Sequence, residues 1–449
     1  MLSFFRPWAD TMEAPTKTAM AVHKSRMLRL PDTFTIVLLF ATAVSAQSQM
    51  HSSRTQPVQS PWVGSWAAAQ QIPEPQNALP PDDLHDATLR QIIHLSAGGD
   101  AIRVHVSNAF GRAPLHLTSV HVARPISISS ASIQPDSDKP LLFAGQPDVT
   151  VPAGAEYISD PLNLSVAPGS DLAISIHFDD PPQPETGHPG SRATSYVAHG
   201  DLTASADLPN AKKVDHWYQL AALDVNVATA GAFSIVTLGD SITDGHGATT
   251  NGNDRWPDVL ARRLRDAGFR NVGVLNAGIG GNHLLTDGLG PNVLARFDRD
   301  VLAQAAVRDV MVFEAINDIG GLARTSGATP AQHAALVQQI LGAYQQIITR
   351  AHAAGLRVIG ATITPFGGSG YYHPDAAGEA DRQAVNAWIL TPGHFDAVVD
   401  FDKVVRNPAH PERLLPAFDC GDHLHPSPAG YAAMANAIPL NVFEIGRTL

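Results

Sequence analysis

The stretch Phe233-Ser234-Ile235-Val236-Thr237-Leu238-Gly239-Asp240-Ser241-Ile242-Thr243-Asp244-Gly245 joins two kinds of signal. Phe233 to Leu238 is a short apolar, β-branched run, as expected for a strand covered on both faces. The glycine, aspartate and serine that follow break the run and can start a helix. A serine at such a strand-to-helix turn is well placed to be an exposed nucleophile. It is not the Gly-x-Ser-x-Gly elbow, because position 243 is Thr. Read alone, Ser241 is equally an ordinary turn serine capping a helix.

Moving toward the C-terminus, the same grammar repeats. Trp256, Val259, Leu260 and Leu264 mark one face of a helix. Val272 to Leu275 and Val310 to Phe313 read as the second and third strands. Thr329-Pro330 caps a long helix with Leu336, Ile340, Tyr344, Ile347 and Ala351 on one face, stopped by Gly355. Leu356 to Ile363 is a fourth strand and Ala397 to Val399 a fifth. Ser427-Pro428 opens a last helix. Strands alternating with helices predict a parallel sheet covered on both faces, with ligands beyond the carboxyl ends of its strands.

Toward the N-terminus the period changes to two. Leu89, Gln91, Ile93 and Leu95 alternate with Arg90 and His94; after Ser96 to Asp100, Ile102, Val104 and Val106 alternate with Arg103 and His105. That pattern predicts a β-hairpin with one buried face. With Leu172 to Phe178 and many Gly/Pro/Asp turns, it predicts an all-β sandwich, jelly-roll-like, over residues 61–228, before an α/β domain over 232–449. His94, His105, His116, His121 and His177 are expected mostly on a solvated sheet face. Trp62, Trp66, Trp217 and Tyr218 could line a sugar-binding surface, but are expected to be core and edge packing residues.

Residues 1–46 read as a signal peptide. Lys24, Arg26 and Arg29 precede an apolar run from Thr33 to Val44, and Val44-Ser45-Ala46 fits a cleavage site. The expected location is secreted or periplasmic, with no stable membrane insertion after removal of the leader. The remaining bulk properties are those of a globular protein: 44% hydrophobic and 16% charged residues in 449. A net charge of −12 argues against a nucleic-acid partner. Cys420 is the single cysteine, which excludes an intrachain disulfide and a zinc site built on thiolates.

Each further strand also ends in a polar or glycine-rich loop. Asn276-Ala277-Gly278-Ile279-Gly280-Gly281-Asn282 could bring backbone N–H groups to a ligand oxygen. Glu314-Ala315-Ile316-Asn317-Asp318 offers an amide that could donate to an oxyanion. Asp419 to Pro426 holds His425 with Asp422 three residues ahead, a base and a partner to fix its tautomer. Two histidines and an aspartate there could instead suggest a metal, although no further ligand cluster of recognised spacing accompanies them.

Taken in order, Gly239-Asp240-Ser241, Gly281, Asn317-Asp318 and Asp422-x-x-His425 resemble the four blocks of the SGNH (GDSL) hydrolase family, over about residues 232–446. The resemblance implies a three-layer α/β/α, flavodoxin-like domain. It implies Ser241 as nucleophile, His425 as base and Asp422 as its orienting acid. The implied oxyanion donors are the Ser241 N–H, the Gly281 N–H and the Asn317 side chain. Gly281 is preferred to Gly278 and Gly280 on its distance from Asn276. No cofactor or metal is implied. Trp62-Val63-Gly64-Ser65-Trp66 and Gly421 to Pro426 are further similar to a bacterial subgroup with an N-terminal β-domain. The expected activity is a serine esterase on short acyl, chiefly acetyl, esters, with a small ester or acylated carbohydrate as substrate. A lysophospholipase or lipase is the alternative, and an inactive carbohydrate-binding protein a third. Asp240 and Asp318 are expected to fix loops. His423 is expected to face away from His425 if its loop is extended. Pro365 to Pro374 is either a mobile rim or a solvated loop.

Overall fold

The computed structural model describes residues 62–229, 231–325 and 327–443. The expected signal peptide lies outside the described residues. Among them, no helix is long and apolar enough to cross a membrane.

Residues 62–226 form two antiparallel sheets. One has the order Trp62–Ala67, Leu220–Asn226, Ala101–Ser107, Glu156–Ile158. The other runs Lys212–Val214, Ser195–His199, Ala87–His94, Asp171–Phe178, Leu115–Ala123, Lys139–Pro140. Val63, Leu89, Ile93, Val104, Leu117, Ile174 and Leu223 fill the space between them. Trp66 and Trp217 pack edge to face at 4.9 Å inside this sandwich, as packing residues should.

The expected hairpin does not exist. Ala87–His94 and Ala101–Ser107 lie in opposite sheets, and Ser96 to Gly99 carries the chain across the sandwich. The alternation also hides burial on the second face. Ile92, Ala173 and Tyr196 are covered there by Ile133 and Leu208. Arg90 is fully buried among them, donating to the carbonyls of Ala131, Leu202, Thr203 and Ser205 and to Ser175 Oγ. Of the five histidines His116 is exposed and His94 and His121 are partly so, while two depart from a solvated face. His105 is buried between Glu156 and Asp224, at 2.7 and 3.0 Å. His177 is buried against Thr118 and Asp86.

From Phe233 onward a parallel sheet takes over, with the order Val272–Gly278, Phe233–Gly239, Val307–Phe313, Arg357–Ala361, Ala397–Val399. Every residue of Phe233–Gly239 is buried, so both faces of this strand are covered. Helices Trp256–Asp266 and Pro428–Ala437 pack together, as do Pro330–Ala353 and Ala376–Leu390, giving the α/β/α arrangement. The long helix starts where its cap demands: Thr329 Oγ1 accepts from Gln332 N, and Gln332 Oε1 accepts from Thr329 N. It ends just before Gly355, at φ +76°.

Sandwich and sheet meet along Trp62–Ala67 and Val272–Gly278. Glycines permit the approach: a Cβ on Gly273 would lie 1.8 Å from Gly64 O. Gly64 N donates to Ala305 O at 3.2 Å, and Val274 N to Ser96 Oγ at 2.9 Å.

Candidate active site

The carboxyl end of Phe233–Gly239 delivers Ser241. Asp240 caps the short helix Ser241–Asp244, its Oδ1 accepting from Ile242 N at 2.8 Å, and Gly245 closes the turn at φ +103°. Ser241 Oγ lies 2.8 Å from His425 Nε2. His425 Nδ1 lies 2.6 Å from Asp422 Oδ2. Asp422 Oδ1 also accepts from the backbone N–H groups of Leu424 and His425, at 3.0 and 2.9 Å. Burial alone would raise the Asp422 pKa, but the bonds from His425 outweigh it and hold the carboxyl well below the usual carboxylate range. An ionised Asp422 can only accept. The ring proton of His425 therefore sits on Nδ1, leaving Nε2 as acceptor for the Ser241 hydroxyl.

The other expected donors converge on the same place. Asn317 begins the helix Ile316–Ala323 after Ala315, which sits at φ +89°. Its Nδ2 donates to Asn282 O at 2.6 Å and its Oδ1 accepts from Tyr372 OH at 2.5 Å. One Nδ2 hydrogen remains for the cleft. In the second loop, Gly278 N is bonded to Asn276 Oδ1, Ile279 N to Gly239 O, and Asn282 N to Ile279 O. That removes Gly278 as a donor. Gly280 and Gly281 both line the cleft, with Gly281 at φ +64°.

These groups open into a cleft of about 990 Å³ lined by Ser241, Gly281, Asn317, Tyr371, His423 and His425, among others. Its described lining comes from residues 241–425, with none from the β-sandwich. Leu289 and Tyr371 are exposed at its rim, and Arg324 stacks under the Tyr371 ring at 4.5 Å. Pro365 to Pro374 is thus part of the wall: Gly368 to Tyr372 line the cleft, and buried Tyr372 orients Asn317. His423 also lines it. The loop is not extended there, since His423 has φ +62°, and its ring bonds Asp419 at 2.6 Å.

Beside Ser241 lies a buried acidic cluster. Burial, reinforced by Asp318, pushes the Asp240 carboxyl up to about 7. Burial with Asp240 raises Glu314 well above its ordinary value. Asp318 accepts from the N–H groups of Leu284 and Leu285, at 2.8 and 3.0 Å, and so fixes that loop.

Two residues that sequence reasoning missed support the site. Buried Arg296 donates to Gly239 O, Ala277 O and Asn282 Oδ1 at 2.9, 2.7 and 2.9 Å, tying the strand that ends at Gly239 to the glycine loop. His246 stacks on His425 with ring centroids 4.0 Å apart. His246, Asp422 and His425 also offer donor atoms within 4.8 Å of one another. Both His425 nitrogens are already hydrogen-bonded, so a metal would have to displace Ser241 or Asp422.

Residues 237–433 match the GDSL-like lipase/acylhydrolase family. The α/β half of this chain is therefore a GDSL-like lipase/acylhydrolase domain, and a β-rich domain precedes it. Among solved structures, the chain is similar to a lipase/acylhydrolase from Enterococcus faecalis, with 24% identity over 46% of this chain and 92% of that one, TM-score 0.34. It is similar to an acetyl xylan esterase variant from Geobacillus stearothermophilus, with 23% identity over 49% and 98%, TM-score 0.33. A third is a GDSL-like lipase from Bacteroides thetaiotaomicron, with 20% identity over 45% and 84%, TM-score 0.33. No curated protein matches the chain.

Proposed function

We propose that this protein is an exported serine esterase that hydrolyses short acyl esters through an acyl-enzyme on Ser241. The observation that carries the reading is the unbroken chain Ser241 Oγ to His425 Nε2, 2.8 Å, and His425 Nδ1 to Asp422 Oδ2, 2.6 Å. In the first half-reaction Ser241 Oγ attacks the ester carbonyl as its proton passes to His425 Nε2. Asp422 stabilises the imidazolium that forms. The carbonyl oxygen, now an oxyanion, accepts from the Ser241 N–H, the Asn317 Nδ2 hydrogen left over and the N–H of Gly281. His425 returns the proton to the leaving alcohol. A water, deprotonated by the same nitrogen, then attacks the acyl-enzyme, and Ser241 leaves with its proton restored.

The lining supports a short acyl group. Gly280, Gly281, Gly288 and Gly368 line the cleft together with Ser241, and Leu289 and Leu424 are the aliphatic side chains among the described lining residues. That is too little for an extended alkyl groove, which favours acetyl or a similarly short acyl group. His283, Tyr371 and His423 add rings and hydrogen-bonding atoms to the lining, which supports an acylated sugar as substrate. The size of the cleft, about 990 Å³, is what favours the second reading, a lysophospholipase-type acylhydrolase. Turnover of p-nitrophenyl esters from acetate to octanoate separates them. A steep fall with chain length supports the short-acyl esterase, and faster turnover of octanoate removes it.

A further inference from the structure

One loop of the β-sandwich reaches the nucleophile's helix. It begins in the short strand Gly187–His188. His188 bonds Ala69 O through Nδ1 at 2.7 Å and Asp244 Oδ1 through Nε2 at 2.9 Å. Asp244 is the last residue of the helix that Ser241 starts. Gly190 passes so close that a Cβ on it would lie 1.7 Å from Asp244 Oδ2. Arg192 follows at φ +51°, a backbone conformation that is uncommon outside glycine and worth explaining where it occurs. Asn251, just past the helix, fixes that conformation. Its N–H donates to Arg192 O at 2.8 Å, while its side chain bonds Thr194 N and Oγ1, each at 2.9 Å.

In this conformation Arg192 Nη2 donates to His246 Nδ1 at 3.2 Å. A ring nitrogen that accepts carries no proton, so His246 holds its proton on Nε2. That nitrogen faces Asp422 Oδ2 at 3.7 Å, and the ring lies against His425 at 4.0 Å, tilted by 37°. Burial above all, then His425 and Arg192, lowers the His246 pKa to about 4. The catalytic histidine therefore packs on an uncharged ring, which does not oppose its own protonation during attack.

We infer that Arg192 of the β-sandwich is a positioning residue of the hydrolytic reaction, acting through His246 on His425 and Asp422. This inference rests on the reading of Ser241 and His425 as nucleophile and base. It assigns the N-terminal domain a part in catalysis although none of its described residues lines the cleft. Arg192 is not itself a lining residue and meets the lining at His246, behind the reacting groups, so its loss belongs in kcat and not in KM.

The test uses the full chain, with p-nitrophenyl acetate as probe, and compares wild type, Ser241→Ala, Arg192→Gly and Arg192→Lys. Glycine adopts positive φ at no steric cost, so Arg192→Gly removes the guanidinium without straining the loop. Arg192→Asn, also tolerant there, is a second truncation should glycine loosen it. The expected result is a kcat lower by about tenfold in Arg192→Gly, the scale of one lost hydrogen bond, with KM within about twofold of wild type. Arg192→Lys, which keeps a donor, should recover most of that loss. Wild-type kcat in both truncations, or a loss confined to KM, overturns the inference while leaving the esterase reading intact. A wild type no faster than Ser241→Ala removes the esterase reading and the inference with it.

Discussion

Replacing Asn317 by alanine separates its two jobs. In the native site the side chain holds Asn282 O and the Tyr372 hydroxyl and still has one N–H free for the substrate. Losing that donor should cost the transition state about 2.7–4 kcal/mol, or 10²–10³ in kcat. Losing the two neutral buried bonds should cost stability about 1–3 kcal/mol, at about 0.5–1.5 kcal/mol each. Kinetics with p-nitrophenyl acetate and urea unfolding of the same preparation measure both. KM should hardly move, since a group that acts on the oxyanion binds the ground state weakly. Tyr372→Phe is the companion. It leaves the amide free to turn while removing no donor to the substrate, and should lower kcat by only about tenfold. If Asn317→Ala keeps kcat within about tenfold of wild type while the fold loses stability as stated, Asn317 is a loop anchor and the oxyanion assignment fails.

Asp422→Asn should lower kcat by about 10⁴, because an amide no longer holds His425 in the tautomer that attack requires; a loss under about 10² would refute the role. The native Asp422 pKa is depressed, so the stability it adds is full above the unfolded carboxyl value of about 4 and is lost as pH falls through the lower folded value. Unfolding curves of wild type and Asp422→Asn should therefore converge only in acid. His105 has the opposite sign. Burial lowers its pKa, but Asp224 and Glu156 outweigh that and raise it to about 9. Its stabilisation is full below the unfolded value of about 6.5 and is lost as pH rises through about 9. A fall in unfolding midpoint across that window, missing in His105→Gln, is the expected result. Arg296→Met leaves Gly239 O, Ala277 O and Asn282 Oδ1 without this donor, while Asp300 keeps Arg299 at 2.8 Å, and should cost about 3 kcal/mol in unfolding, at about 1 kcal/mol for each bond lost. An effect below about 1 kcal/mol would show that the strand ends hold without the clasp.

Most of the α/β half can be read directly from residue order. Phe233 to Leu238 and Val310 to Phe313 are short apolar runs that read as buried strands and are strands, and Thr329-Pro330 with Gln332 writes a helix start into four residues. Ser241 and Asn317 each follow a strand whose end the sequence marks, Asp422 and His425 lie just before the helix start at Ser427-Pro428, and the fold brings all four to one cleft. The sandwich is harder because alternation gives a face and not a partner. Ala87–His94 and Ala101–Ser107 look like neighbours in sequence, yet their hydrogen bonds go to Asp171–Phe178 and Leu220–Asn226. His105 reads as solvated because the two carboxylates that bury it come from residues 156 and 224. Arg296, His246 and Tyr372 carry no local mark: each earns its place through partners more than ten residues away. The positive φ of His423 depends on Asp419 capping its own loop, which an extended reading of Asp419 to Pro426 cannot foresee.

In the proposed reaction Ser241 becomes covalently attached to the acyl group during turnover. The most direct measurement is mass spectrometry after treatment with diethyl p-nitrophenyl phosphate, which transfers its diethylphosphoryl group to an activated serine and releases p-nitrophenol. A single adduct, mapped to the peptide containing Ser241, formed as esterase activity disappears and absent in Ser241→Ala, is the predicted result. Full modification at another residue, or loss of activity with Ser241 unmodified, would contradict it.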